Sequence, residues 1–263
     1  MLEIEMKTAR RAANEAGKIL KALFGTVKNI SKKGEIDIVT EADIQSEEAV
    51  IDIIRNEFPQ DSILSEEAGE DDIHGSERLW IIDPLDGTTN FAHGFPFFAV
   101  SIALKVKKKV VLGIVFNPVM DEFFEAVIDQ GACLNREPIY VSTTKFLKDA
   151  LLGTGFPYTI YEDSGEVIVL LKKMIVKVQG VRRAGAAAID LCYVAAGRLD
   201  GFWEQGLKPW DTAAGSLILK EAGGRSGDFF GASYSPYQKT IVAGNPSVYR
   251  SMLKIIKFSN HGG

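Results

Sequence analysis

The chain has 263 residues, enough to bury a substantial core as one large domain or two smaller ones. Apolar residues make up 46% and charged residues 25%, and the net charge of −5 comes without the basic stripe of a nucleic-acid binder. Two distant cysteines, Cys133 and Cys192, exclude a disulfide framework or a CxxC metal site, and no apolar run is long enough to span a membrane.

In chain order, Met6 to Phe24 carries Ala9, Ala12, Ala13, Ala16, Ile19, Leu20 and Leu23 at helical spacing, which predicts an amphipathic helix. The mixed-charge N-terminus has no apolar h-region, so no signal peptide and a cytoplasmic protein are expected. Thr40 and Asp43 resemble a capping signal for a second helix, Ala42 to Phe58, with Ile44, Val50, Ile51, Ile54 and Phe58 apolar and Pro59 as its stop. Short apolar runs follow at Ile63-Leu64, Leu79 to Ile82, Phe97 to Val106, Val110 to Phe116 and Glu122 to Ile128. They predict an antiparallel meander, with VKKKV as a hairpin turn. Beyond about Tyr140 strands alternate with helices: Leu151 to Gly153, Ser164 to Val176, Ala186 to Ala196, Gly201 to Glu204, Thr212 to Ala222, Thr240 to Ala243 and a helix from Pro246. That alternation predicts an α/β half. We therefore expect an N-terminal α+β domain over 1–140 and a C-terminal α/β domain over 141–263, sharing a cleft. Cys192, inside an apolar helical pattern, reads as a small core residue.

The chemistry concentrates in RLWIIDPLDGTTNF, residues 78–91, where an apolar run drives into Asp83 and Asp86. Two buried carboxylates repel each other and are costly to bury, and a hard divalent cation relieves both problems. Gly87, Thr88 and Thr89 offer backbone N–H groups at a helix start, a seat for phosphate. Read alone, DPLDGT also fits a turn with capping aspartates. Glu66 and Glu67 equally fit a solvated acidic loop, and Asp43 and Asp211 fit helix N-caps. Of the three histidines, His74 and His93 have no metal-ligand spacing.

SEE (65–67), DPLDGTTN (83–90) and WDTAAGS (210–216), with Asp43 upstream, together resemble the inositol monophosphatase family. GFPFFAVSIAL (94–104), GVRRAGAAAIDLCYVAAGRLDGFWE (180–204) and EAGG (221–224) extend the likeness over nearly the whole chain. The resemblance implies a lithium-sensitive, Mg²⁺-dependent sugar phosphatase with a layered α-β-α-β-α sandwich fold, working as a homodimer on a small inositol or sugar phosphate. It implies that Glu66, Asp83 and the Leu85 carbonyl hold one Mg²⁺, that Asp83, Asp86 and Asp211 hold a second, and that a third sits near Glu66. Thr88, bonded to Asp43, would orient the attacking water, and the N–H groups of Gly87 and Thr88 would bind phosphate. Asp86, Arg183, Gly185, Ala186, Ala187 and Glu204 would contact substrate, Glu67 would support the ligands from behind, and KKGE (32–35) would form a mobile loop over the site.

Many relatives carry Thr or Ser where this chain has Ala186, which removes a hydroxyl contact. Arg182 and Arg183 suit a second phosphate, so fructose-1,6-bisphosphate stands beside inositol-1-phosphate as a substrate. Other readings are a 3′-phosphoadenosine phosphate phosphatase and a regulatory protein binding transcription complexes. A haloacid-dehalogenase mechanism needs aspartates two apart, whereas Asp83 and Asp86 are three apart.

Overall fold

Helix α1 (Glu3–Leu23) turns the alanine-rich stripe expected of it to the interior: Ala9, Ala12, Ala13, Ala16 and Leu20 have no exposed surface. The structure is a computed structural model that describes residues 2–26, 30–32, 38–73 and 75–259. His74 and residues 33–35 of the expected mobile loop lie outside the described residues. A short antiparallel pair, β1 (Ile30–Lys32) and β2 (Ile38–Thr40), leads into α2 (Glu41–Glu57). Thr40 and Asp43 form the capping box that opens α2. Ile44, counted on its apolar face, is 48% exposed; the inward face carries Ala42, Asp43, Ser46, Glu47, Val50 and Ile54 instead.

An eight-stranded sheet follows, made of β3 (Ser62–Ser65), β4 (Gly69–Asp71), β5 (Arg78–Asp86), β6 (Ala99–Val106), β7 (Lys109–Asn117), β8 (Glu122–Val127), β9 (Ala132–Leu134) and β10 (Glu137–Pro138). From β5 to β8 it is the expected meander, with Lys107-Lys108 as the turn between β6 and β7, and β9 and β10 extend it by two short strands that the apolar runs do not predict. The expectation fails at β3, which pairs parallel to β5 through Ser62–Leu79 to Ser65–Ile82. Two short apolar runs look alike in either direction, and the excursion through β4 returns the chain to the same end of the sheet.

The second sheet has five strands in the order β12 (Gly180–Arg182), β11 (Leu151–Thr154), β13 (Gly201–Gln205), β15 (Thr240–Gly244) and β14 (Arg225–Gly227). Its helices are α4 (Gly165–Ile175), α5 (Ala187–Ala195), α6 (Pro209–Glu221) and α7 (Pro246–Ser259), while a five-residue α3 (Thr88–Ala92) follows β5.

Strand alternation sorts these elements into layers. Trp80 and Ile82 of β5 face α1 and α2, while Ile81 faces the other way, onto Leu191, Ala213 and Ile218 of α5 and α6. The far side of α5 and α6 meets Phe202, Ile241 and Ala243 of the second sheet, whose outer face packs Trp203 and Val242 on α4 and α7. The result is the expected α-β-α-β-α sandwich. The approach of α6 to the first sheet depends on Gly113 of β7, where an added methyl would lie 2.9 Å from the carbonyl oxygen of Ala214. Cys192 is fully buried between the sheets, as expected. Among the described residues, no helix is long and apolar enough to cross a membrane.

Candidate active site

Asp83 and Asp86 are three residues apart, so a regular strand would point them to opposite faces. A β-bulge prevents this. Asp83 pairs with Ser101 and Asp86 with Ala99, so Pro84 and Leu85 together oppose one residue of β6. Ser101 and Ala99 share a face, and both aspartates therefore turn the same way, toward α5 and α6.

Every backbone polar group of the bulge is accounted for. Pro84 has no N–H to lose, and its carbonyl accepts from Ser46 Oγ of α2 at 2.9 Å. The Leu85 N–H donates to Asp83 Oδ1 at 3.0 Å, and the Leu85 carbonyl accepts from Thr88 Oγ1 at 3.0 Å. Gly87 then takes φ 92°, a left-handed conformation, as the N-cap of α3. A methyl there would also lie 3.0 Å from the Phe97 carbonyl oxygen. Thr88 is thus not the cap; it is the first helical residue. Its hydroxyl has two acceptors, Leu85 O and Asp43 Oδ1, the latter also at 3.0 Å.

The other acidic groups converge from three elements. Asp43 is buried, and its Oδ2 accepts from both the Oγ1 and the N–H of Thr40. Asp211 is not an N-cap either: α6 begins two residues earlier, at Pro209, and Asp211 Oδ2 accepts from the Lys208 N–H at 2.7 Å. Asp86 Oδ2 accepts from the Ala188 N–H of α5 at 2.8 Å, which ties β5 to the first turn of that helix. Glu66, Asp83, Leu85, Asp86, Gly87, Thr88, Arg183, Gly185, Ala186, Ala187, Glu204 and Asp211 all line one cavity of about 400 Å³. Asp43 stands behind it, reaching it through Thr88. Arg182 points along its own strand to the Val181 carbonyl, so only Arg183, 5.6 Å above the Phe156 ring, borders the cavity. His93 is exposed and lies off the lining, and Glu67 is also outside it.

Three residues passed over in the sequence hold this site together. Glu47 of α2 is buried, and its Oε1 accepts from the Ser65 hydroxyl and from the N–H groups of Glu67 and Ala68, at 2.9 and 3.2 Å. It fixes the loop that presents Glu66. Ser46 holds the bulge. The signal was available in α2: Asp43, Ser46 and Glu47 follow the i, i+3, i+4 spacing of one helix face. Asn90, inside DPLDGTTN, donates through Nδ2 to the carbonyls of Phe97 and Ala184, at 2.7 and 2.9 Å, and so joins the Gly87–Thr88 turn to the Gly185 loop.

Electrostatics agree with the crowding. Burial, then the charges of Glu66, Asp86 and Asp211, push the Asp83 carboxyl well above the usual carboxylate range, against one hydrogen bond from Leu85. Burial, then Asp211, does the same to Asp86. Burial, Asp190 and Asp211 raise Glu204, with Arg183 opposing. Among the described residues, no three His, Cys, Asp or Glu side chains are already gathered into a coordination shell. The donor chemistry nonetheless fits a hard divalent cation: the set is oxygen only, Asp83 and Asp86 are buried, and the charges acting on Asp83 all destabilise its ionised form.

The sequence pattern of the inositol monophosphatase family matches residues 2–260. The chain belongs to the inositol monophosphatase family. Its relatives include an inositol-1-monophosphatase of Mesorhizobium japonicum, 43% identical over 94% of each chain. The Nus factor SuhB of Escherichia coli K12 is likewise 43% identical over 94% of each chain. Among solved structures, the inositol monophosphatase of Anabaena sp. PCC 7120 superposes with a TM-score of 0.89 at 39% identity, covering 98% of this chain and 96% of that one. Membership supports a phosphatase that depends on a divalent metal, generally Mg²⁺ in this family.

Proposed function

We propose that this phosphatase hydrolyses myo-inositol-1-phosphate, with Glu66, Asp83, Asp86, Asp211 and the Leu85 carbonyl holding two to three Mg²⁺ ions. The observation that carries the reading is the single cavity in which this oxygen set meets the Gly87–Thr88 turn on one side and Glu204 on the other. When bound, Mg²⁺ supplies an acidified water and neutralises charge that develops on the phosphoryl and leaving oxygens.

The chain's own groups do the rest. The Thr88 proton is directed at two acceptors, Asp43 and the Leu85 carbonyl, and Thr88 lines the cavity, so its hydroxyl oxygen keeps its acceptor capacity for a proton from the attacking water. Asp43 receives the proton released through Thr88, a task suited to a carboxyl whose affinity for protons burial has raised. The water oxygen bonds to phosphorus as the bond to the inositol oxygen breaks, and that oxygen leaves as an alkoxide that takes a proton from solvent water to become a hydroxyl. The N–H groups of Gly87 and Thr88 at the start of α3 hold the phosphate oxygens. Glu204, Asp86, Arg183 and the backbone of Gly185, Ala186 and Ala187 border the place of the ring.

Phosphate release across inositol-1-phosphate, fructose-1,6-bisphosphate, 3′-phosphoadenosine phosphate and NADP tests the reading. The highest kcat/KM is expected on inositol-1-phosphate, and only with Mg²⁺. Full activity in excess EDTA, or a clear preference for another member of the panel, overturns it. Fructose-1,6-bisphosphate is the second candidate, because Arg183 borders the cavity and suits a second phosphate.

One further reading has its own support: a relative of equal identity is named a Nus factor, so a surface for transcription complexes is a second role. Capture of RNA polymerase by wild type and by a catalytically dead variant alike would establish that role apart from catalysis. A homodimer in the cytoplasm remains part of the proposal.

A further inference from the structure

Strand β11 ends in Gly153 and Thr154, and Gly155 follows directly. Its parallel register sets Gly153 beside Phe202 and Thr154 beside Trp203, which carries Gly155 alongside Glu204 of β13. Thr154 Oγ1 donates to the Trp203 carbonyl at 2.8 Å and fastens the two strand ends together. Each glycine adjoins a buried carboxylate. A methyl on Gly153 would stand 3.4 Å from Asp190 Oδ1. A methyl on Gly155 would fall inside 3.0 Å of both carboxylate oxygens of Glu204 and of its Cδ, and its three nearest atoms all belong to that side chain. Neither glycine has a left-handed φ, so the backbone does not call for glycine at either position. Glycine also weakens a strand, having no side chain to pack. What the pair supplies is space, and at Gly155 that space opens on the cavity, whose lining includes both Gly155 and Glu204.

We propose that Gly155 is a specificity-determining residue: its missing side chain is the space in which the Glu204 carboxylate stands in the cavity wall, where it accepts hydrogen bonds from the hydroxyls of a polyol phosphate. This rests on the reading of the substrate given above. The carboxylate ends a flexible side chain, so a methyl at Gly155 displaces Glu204 and leaves the strand pairing in place.

The test compares kcat/KM for inositol-1-phosphate with kcat/KM for p-nitrophenyl phosphate, whose leaving group carries no further hydroxyl. Wild type, Gly155→Ala, Glu204→Ala and the double variant are assayed at saturating Mg²⁺, with the melting temperature of each. The polyol-to-aryl ratio is expected to fall about tenfold or more in Gly155→Ala, because a site built to bond hydroxyls loses that discrimination. It should fall comparably in Glu204→Ala, and no further in the double variant, since both changes remove one interaction. Equal losses on the two substrates, an unchanged ratio, or effects that multiply in the double variant overturn the proposal. Gly155→Ala combined with Glu204→Asp, whose shorter carboxylate clears the methyl, should recover part of the ratio, and it serves in place of Gly155→Ala should that variant not fold. If wild type does not turn over inositol-1-phosphate, the substrate reading has failed; fructose-1,6-bisphosphate then enters the ratio, and the same non-additivity decides the role of Gly155.

Discussion

Thr88 separates two roles that its position at the start of α3 could suggest. A capping hydroxyl contributes about 1 kcal/mol to stability and nothing to the reaction. Here the cap is Gly87, and the Thr88 hydroxyl bonds Asp43 and the Leu85 carbonyl. Thr88→Ala is therefore expected to cut kcat by about 10²-fold, roughly 2.7 kcal/mol of barrier, with little change in melting temperature. A further Asp43→Asn change should add almost nothing, because residues acting as one unit are non-additive. Rates that simply multiply would break the pair. Asp190 makes a different prediction. It is buried, its Oδ1 has no hydrogen-bond partner among the described residues, and burial holds its carboxyl well above the usual range, with Arg183 opposing. A raised folded pKa on an acid means that its stabilising contribution is complete below the unfolded pKa of about 4 and is lost as pH rises through the folded value. Asp190→Asn removes that loss. It should be more stable than wild type by about 1 kcal/mol or more at pH 8 in urea unfolding, with the gap closing toward pH 4.5. A gap independent of pH would show that the ionised carboxylate is not the cause.

At the scale of elements, the site depends on how closely α6 lies on the first sheet, because α6 carries Asp211. Gly113 permits that approach, with the Ala214 backbone 2.9–3.0 Å from where a methyl would be. Gly113→Ala is expected to cost about 1–3 kcal/mol through overpacking. It should also lift α6, which raises the Mg²⁺ concentration for half-maximal activity more than it changes KM for substrate. A metal titration alongside thermal unfolding checks both, and a stability loss with an unchanged Mg²⁺ requirement would detach Gly113 from Asp211. Much of this element layout is legible in the sequence. The stripe of α1, the cap of α2 and the strands β5 to β8 all follow from local periodicity. The parallel setting of β3 and the Pro209 start of α6 do not, since neither leaves a mark in the pattern of apolar residues.

For the whole molecule, the cavity joins carboxylates from β5 and α6, the Glu66 loop, and β13, so cation binding should stabilise the assembled sandwich. Ligand at 100 times its Kd contributes about 2.7 kcal/mol by mass action. Saturating Mg²⁺ is therefore expected to raise the melting temperature over that in EDTA, and Asp83→Asn should remove most of the rise along with activity. A melting temperature indifferent to Mg²⁺ in wild type would argue against the ligand set proposed.

The sequence by itself determined the residue types and their local spacing: an all-oxygen acidic set, a glycine-threonine turn, and helices and strands able to sort into layers. Those properties are local, and propensity, capping and periodicity act over a few residues. Only the tertiary structure decided which groups meet. The bulge at Pro84–Leu85 turns Asp83 and Asp86 to one face, whereas the bare spacing would oppose them. Glu47 anchors the Glu66 loop across 18 to 21 positions, and Asn90 reaches Ala184 across 94. Gly155 matters only because Glu204, far along the chain, occupies the volume that its side chain would have filled. Such distances close only when both sheets pack on α5 and α6, and the hydrophobic burial that drives this packing is indifferent to which polar groups it brings together.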